Sequence, residues 1–224
     1  AHNSFAQLLP AFAISMVAVG FAAPAAMSTT PLIQGISLVG STFFGFTALI
    51  YAVFAAITGF SSMLHYGTAK EAGPTLLVIV PIMTTLGIMF LRQDHGLHVS
   101  FEAHAAAADT FVFLSRLLAV QVLFALLGLL VLVRQGYFGE FLWGSKTSPG
   151  SYALVCPGVA LNVMIMFWLH KGLVATDIVT KFSVGYWSIV SVALVLQAAM
   201  ITLVLYLNHR HFARSRAAVA VPAE

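Results

Sequence analysis

Charge is what this chain has least of. Of its 224 residues 8% are charged, 10 Lys+Arg against 7 Asp+Glu, whereas a soluble globular domain carries about 25%. A chain so poor in charge cannot clothe a water-facing surface of ordinary size. Its mean hydropathy is +0.98 and 60% of its residues are apolar, so lipid is the solvent that suits most of its surface. Soluble classes are excluded. The net charge of +3 is too small for a nucleic-acid partner, which calls for a basic stripe. Three of the basic residues, Arg210, Arg214 and Arg216, crowd the C-terminal end. The single cysteine, Cys156, excludes a disulfide framework within the chain and every CxxC motif. There is also no Ser–His–Asp set, phosphate-binding loop or dinucleotide fingerprint, so a hydrolytic or ATP-driven role has no support.

What the chain does have is long apolar runs, over 5–23, 35–60, 75–91, 111–133, 152–170 and 184–207. Each is long enough to cross a hydrocarbon core of ~30 Å, which takes roughly 20 helical residues. They are continuous rather than alternating, which excludes a β-barrel. Helices are the spanning structure left, because lipid satisfies no backbone group. The expected fold is an all-α, polytopic membrane protein of six spans with a short basic tail over 209–224. Lys70, Arg134, Lys146, Arg210, Arg214 and Arg216 fall on one side, Arg92, Lys171 and Lys181 on the other. The positive-inside rule then predicts that both termini are cytoplasmic and that the loop from Gln93 to Asp109 faces outward. The chain opens Ala1-His2-Asn3-Ser4, without Met or a basic leader, and enters a helix at once; a processed or truncated product of something longer is the expectation.

Proline marks an internal repeat. Pro10, Pro81 and Pro157 fall in the first, third and fifth runs, and the other three runs contain none. A proline within a helix deletes a hydrogen bond and bends the chain. The pattern predicts three tandem hairpins, each a kinked helix followed by a straight one, with the kinked helices around a common axis. The competing explanation is the general abundance of proline in membrane helices. A kink frees carbonyls that a hydrated cavity can satisfy and lipid cannot. Bent helices around a midplane site are how many transporters build their pathway.

Leu8-Leu9-Pro10-Ala11-Phe12-Ala13, Val78-Ile79-Val80-Pro81-Ile82-Met83-Thr84-Thr85 and Tyr152 to Gly158 resemble the tellurite-resistance/dicarboxylate transporter family, which includes the SLAC-type anion channels. Gly96-Leu97-His98, and Ser148-Pro149-Gly150-Ser151-Tyr152 through Cys156-Pro157-Gly158-Val159-Ala160, look like its bacterial TsoY-type (seleno)protein branch. The resemblance covers most of the chain, through short hydropathic motifs. It implies ten helices in five hairpins, of which these would be the last six, with proline-kinked odd helices around a pore. It also implies a bacterial inner membrane location, cytoplasmic termini, a homotrimer, and oxyanions or C4-dicarboxylates as solutes. In the SLAC-type channels an aromatic residue before the corresponding proline plugs the pore. Here that place is taken by Cys156, and by repeat the matching residues are Leu9 and Val80, so the implied ring is two aliphatic groups and a thiol.

Several other side chains are candidates for the path. Asn162, Thr84, Thr85 and Ser15 lie just beyond the three prolines. Polar groups at such depth face the bundle interior or a wet cavity. They can offer N–H and O–H donors to an anion without holding it too tightly, or they can simply bond one helix to the next. Cys156 has a bland alternative too, as a small buried hydrophobe. Arg116, the one charge well inside a span, either snorkels to the surface or faces Asp109 or Glu102.

His95, His98 and His104, with Asp94 and Glu102, form the densest ligand-capable cluster. Nothing fixes a third metal ligand there, and His65 and His170 sit at span ends where no haem would be held; no metal or cofactor is expected. Gly40, Ser41, Gly45 and Ala48 on the second span invite close helix packing. Phe43, Phe44 and Phe46 read as packing or lipid contact, and Trp143, Trp168, Tyr137 and Tyr186 as an interfacial belt. The leading expectation is a channel or transporter for small anions in the lipid bilayer. A membrane redox protein using Cys156 or the outer histidines, and a non-catalytic membrane subunit, are the alternatives.

Overall fold

The computed structural model describes residues 4–101 and 106–219, the side chains of 99–101 and 213–219 excepted. Among the described residues there are six helical stretches long and apolar enough to cross a membrane: Phe5–Met27, Pro31–Tyr66, Lys70–His98, Ala107–Arg134, Pro149–Val174 and Val184–Phe212. The protein is an all-α, multi-pass membrane protein. Each expected run is found, lengthened at its ends by residues whose backbone still closes helical hydrogen bonds.

The α-helical parts are α1 (Leu9–Met27), α2 (Pro31–Tyr66), α3 (Ile79–Phe101), α4 (Ala107–Arg134), α5 (Val155–Phe167) and α6 (Val184–Val219). The odd-numbered helices share one device. Each is led in by a 3₁₀ segment: Phe5–Leu8 before α1, Lys70–Leu77 before α3, Pro149–Leu154 before α5. Pro10, Pro81 and Pro157 then sit in the first turn of the α-helix that follows. Proline lacks an N–H, and a first turn has orphan N–H groups in any case, so the residue is cheap there. The prolines thus mark where a tight 3₁₀ turn relaxes into α-helix. Pro24, near the end of α1, is the proline that lies inside an α-helix beyond its first turn.

Small residues set the packing. α1 buries Ala11, Ser15, Ala18, Ala22 and Ala25, and α2 buries Ser37, Ser41, Gly45, Ala48, Ala52, Ala55 and Gly59. Every interval is three or four, so each set forms one seam along its helix. In lipid there is no hydrophobic gain from burying a large side chain, and close backbone approach through small ones takes its place. At Gly45 a Cβ would run into the Met89 side chain of α3. The outer face of α2 carries exposed Phe43, Phe46 and Phe54, while Phe44 turns inward to stack on Phe21 with centroids 5.3 Å apart.

α3 is the centre of the bundle. It packs against α1, α2, α4 and α5, and α6 packs against α5. Of the six stretches, the one that contains α3 is the most buried and the one that contains α6 the least. α3 therefore lies between α1 and α5 in the packing, touching both.

One end of the bundle is tied by polar contacts. Glu140 pairs with both Lys70 and Lys146, Ser148 donates to the Glu71 carboxylate at 2.8 Å, and Tyr152 donates to Asn208 at 2.7 Å. The Arg210 guanidinium on α6 donates to the carbonyls of Phe141, Leu142, Gly144 and Lys146, satisfying backbone that the helices leave open. Tyr137 is fully buried on Ser151, and Tyr186 is buried against His170. Of the expected belt, Trp143 is exposed, while these two tyrosines lock loops instead.

Candidate functional site

One face of α3 links two polar regions. Thr84, Ile88, Leu91, His95 and His98 recur at intervals of four and three, which places them along a single stripe. The lower end of the stripe is in the middle of the bundle, and the upper end lines a cavity of about 340 Å³.

The mid-bundle region is a buried hydrogen-bond knot. Gln121 of α4 donates through Nε2 to the Val80 carbonyl at 3.0 Å and to Thr84 Oγ1 at 2.6 Å. Thr84 Oγ1 in turn lies 3.1 Å from the Ala160 carbonyl of α5 and 3.2 Å from that of Val80. Ser15 and Thr85 hydroxyls are 2.7 Å apart, with Ser15 also 2.7 Å from the Phe12 carbonyl and Thr85 2.9 Å from that of Ile82. Ser15, Val80 and Gln121 are wholly buried, and Thr84 and Thr85 nearly so. The Gln121 Oε1 atom is buried with no hydrogen-bond partner among the described residues. Its orientation is decided by chemistry: the atom facing the Val80 carbonyl must be a donor, so it is the amide nitrogen.

The cavity is lined at its polar rim by Arg92, Asp94, His95, His98, Thr110 and Lys171, over a floor that includes Ile88 and Leu91. Two permanent cations face one carboxylate. Arg92 spends one of its five N–H donors on the Val19 carbonyl of α1, at 2.7 Å, which fixes the guanidinium at the rim. Lys171 is carried by a π-helical segment, Trp168–Val174, that ends the fifth span. π-Segments insert an extra residue and redirect side chains. Nearby, His170 bridges the Met166 carbonyl at 2.8 Å and the Tyr186 hydroxyl at 3.1 Å, and Trp168 donates to Ser115 at 2.8 Å. At Gly96, between the two cavity histidines, a Cβ would collide with the Ala25 carbonyl of α1, so α1 and α3 touch backbone to backbone there.

The structure pairs Ser15 with Thr85 and, separately, ties Thr84 and the Val80 carbonyl together through Gln121. It does not bring in the other sequence candidates. Asn162 donates to Gln197 of α6 at 2.8 Å. Leu9 is 48% exposed and Cys156 is exposed, whereas Val80 is 0% exposed, so the three residues before the prolines share no wall. Arg116 is exposed on α4. Glu102 and His104 lie outside the described residues, and among the described ones no three His, Cys, Asp or Glu residues gather as metal ligands.

Sequence reasoning missed Gln121, Arg92 and Lys171. Gln121 did leave a signal, as an amide in the middle of an otherwise apolar run, where such a group is retained only with partners.

No family model, no curated protein and no solved structure matches this chain.

Proposed function

We propose that the protein is a transport protein for small anions, working in the bacterial inner membrane as three repeated hairpins with both termini cytoplasmic. The resemblance described above supplies the solute classes, oxyanions and C4-dicarboxylates, and the trimeric assembly. The observation that carries the reading is the cationic rim of the cavity, where Arg92 and Lys171 outnumber Asp94. Such a rim raises the local concentration of anions. Its volume is at the low end of small-ligand sites, which suits a solute of few atoms. From the cavity the α3 stripe leads to Thr84, and this route is favoured over a ring of Leu9, Val80 and Cys156.

The test is flux into liposomes containing the purified protein, with electrical recording and a panel of anions. Transport of at least one of them, reduced in Arg92→Gln or Lys171→Gln, supports the reading. Vesicles no more permeable than protein-free ones to every anion overturn it.

A further inference from the structure

We infer that the cavity selects an organic monoanion with a short hydrocarbon tail, a carboxylate or sulfonate of a few carbons, over inorganic oxyanions and dianions. This rests on the anion-transport reading and narrows its substrate class.

Two walls of the cavity carry the same arrangement. On α3, Ile88 precedes Arg92 by four positions, and in the fifth span Phe167 precedes Lys171 by four. In both, the cation is the residue nearer the end of its span. On α3 the apolar side chain thus sits one turn, about 6 Å, farther in than the charge. Leu91 and, from α1, Ala26 complete the apolar part. One such pairing is what any membrane helix shows at its end, a long cation snorkelling over apolar surface. Here two of them line one cavity of about 340 Å³.

The two charges are uncommitted. Among the described residues the ion pairs are those of Glu140 with Lys70 and Lys146, so no carboxylate contact neutralises Arg92 or Lys171. Asp94 is the single carboxylate among the lining residues. With His95 and His98 neutral, two fixed positive charges against one negative leave room for one more negative charge. A monoanion balances the site. A dianion brings one charge too many, and its second charge comes to rest against Ile88, Leu91 or Phe167. An unpaired charge on apolar surface costs more than any contact there returns.

The apolar part decides among monoanions. Ala26, Ile88, Leu91 and Phe167 are all partly exposed, so water in the cavity touches them. A hydrocarbon tail displaces that water, which raises affinity up to about fourfold for each methylene buried. Nitrate meets the cations equally well and has nothing to lay on the floor.

The experiment measures binding by calorimetry on the full chain in phosphatidylcholine nanodiscs, with the signal of empty discs subtracted. The probes are methanesulfonate, butanesulfonate, butane-1,4-disulfonate and nitrate, all ionised at neutral pH. Butanesulfonate is expected to bind at least about tenfold tighter than each of the other three. Lys171→Gln is expected to weaken methanesulfonate and butanesulfonate alike, by about two- to tenfold at low salt. Phe167→Ala is expected to shrink the advantage of butanesulfonate to about threefold or less, with methanesulfonate unchanged. If that variant does not fold, the wild-type series decides. Equal affinities for methanesulfonate and butanesulfonate overturn the inference and leave anion binding standing, as does disulfonate bound as tightly as butanesulfonate. Butanesulfonate affinity untouched by Lys171→Gln also overturns it, because the tail is then held elsewhere. Native mass spectrometry from discs that also contain phosphatidylglycerol tests the other source of an anion with a tail. That lipid retained by the wild type and lost in Lys171→Gln overturns the inference and assigns the cavity to a membrane lipid. Discs that bind none of the probes overturn the collecting site and the transport reading with it.

Discussion

The hydroxyls of Ser15 on α1 and Thr85 on α3 lie 2.7 Å apart with both residues buried. Each follows its helix's first-turn proline by four or five positions, so the repeat places them at matching depth. One bond joins the helices, and the second proton has a backbone carbonyl within reach. Hydrogen bonds between membrane helices average about 0.6 kcal/mol and reach about 1.7. Thr85→Val keeps the shape and removes the hydroxyl, and Ser15 still has the Phe12 carbonyl. The expected cost is about 0.5–1.5 kcal/mol, read as a small fall in the detergent unfolding midpoint. A loss beyond about 3 kcal/mol would mean that the pair does more than bridge two helices.

The number and nature of the spans were legible because hydropathy is a one-dimensional property. The small-residue seam of α2 was also legible in part, since Ser41, Gly45 and Ala48 already show its spacing, although Gly40 lies beside it. Which way a side chain faces was not. Leu9, Val80 and Cys156 hold matching places before their prolines, yet α3 is central while α1 and α5 flank it, so equal sequence positions meet unequal surroundings. Asn162 and Gln121 look alike in sequence, as single amides in apolar runs. Only the packing gives Asn162 a partner on the peripheral α6 and Gln121 one on the central α3. The cavity was invisible because Arg92, Thr110 and Lys171 come from three spans.

Glycine positions divide into tolerant and intolerant ones. At Gly96 an added Cβ meets the Ala25 carbonyl oxygen and carbon, which are backbone and cannot swing aside. At Gly20 nothing lies within 4 Å of the added atom. Gly96→Ala must push α1 from α3 and is expected to cost about 1–3 kcal/mol, and to disturb the cavity that His95 and His98 line. Gly20→Ala is expected to be neutral or mildly stabilising, since Ala is the better helix former. Thermal unfolding of the two variants side by side checks the contrast; equal effects would contradict the contact between α1 and α3.

Glu140 makes the tied end of the bundle sensitive to acid. Hydrogen bonds from Lys146 and then Lys70 hold its carboxyl down, from 4.5 to about 2. A carboxyl lowered in the folded state stabilises it fully above the unfolded value and loses that contribution as pH falls toward the folded one. The window is therefore from about pH 4.5 down to about pH 2. Because the group is solvent-accessible, the effect is local loosening of the loop that carries it and is weakened by salt. Trp143, exposed and packed on Phe138 with centroids 5.9 Å apart, reports it. Its fluorescence is expected to change across that window in the wild type and to stay flat in Glu140→Gln.

Lys171 and Arg92 share the cavity rim and differ in what else they hold. Arg92 donates to the Val19 carbonyl of α1, so Arg92→Gln strips a backbone partner as well as a charge. Lys171 is exposed and makes no hydrogen bond or ion pair among the described residues. Lys171→Gln therefore removes charge alone. At an effective dielectric of about 20, a unit charge some 8 Å away contributes about 2 kcal/mol before salt screening, and much less after it. The expected outcome for Lys171→Gln is a two- to tenfold rise in half-saturating anion concentration, with the maximal rate kept and the defect fading at 1 M salt. Arg92→Gln is expected to show the same rise together with a lower unfolding midpoint. A Lys171→Gln protein with unchanged half-saturation at low salt would place the collecting site elsewhere.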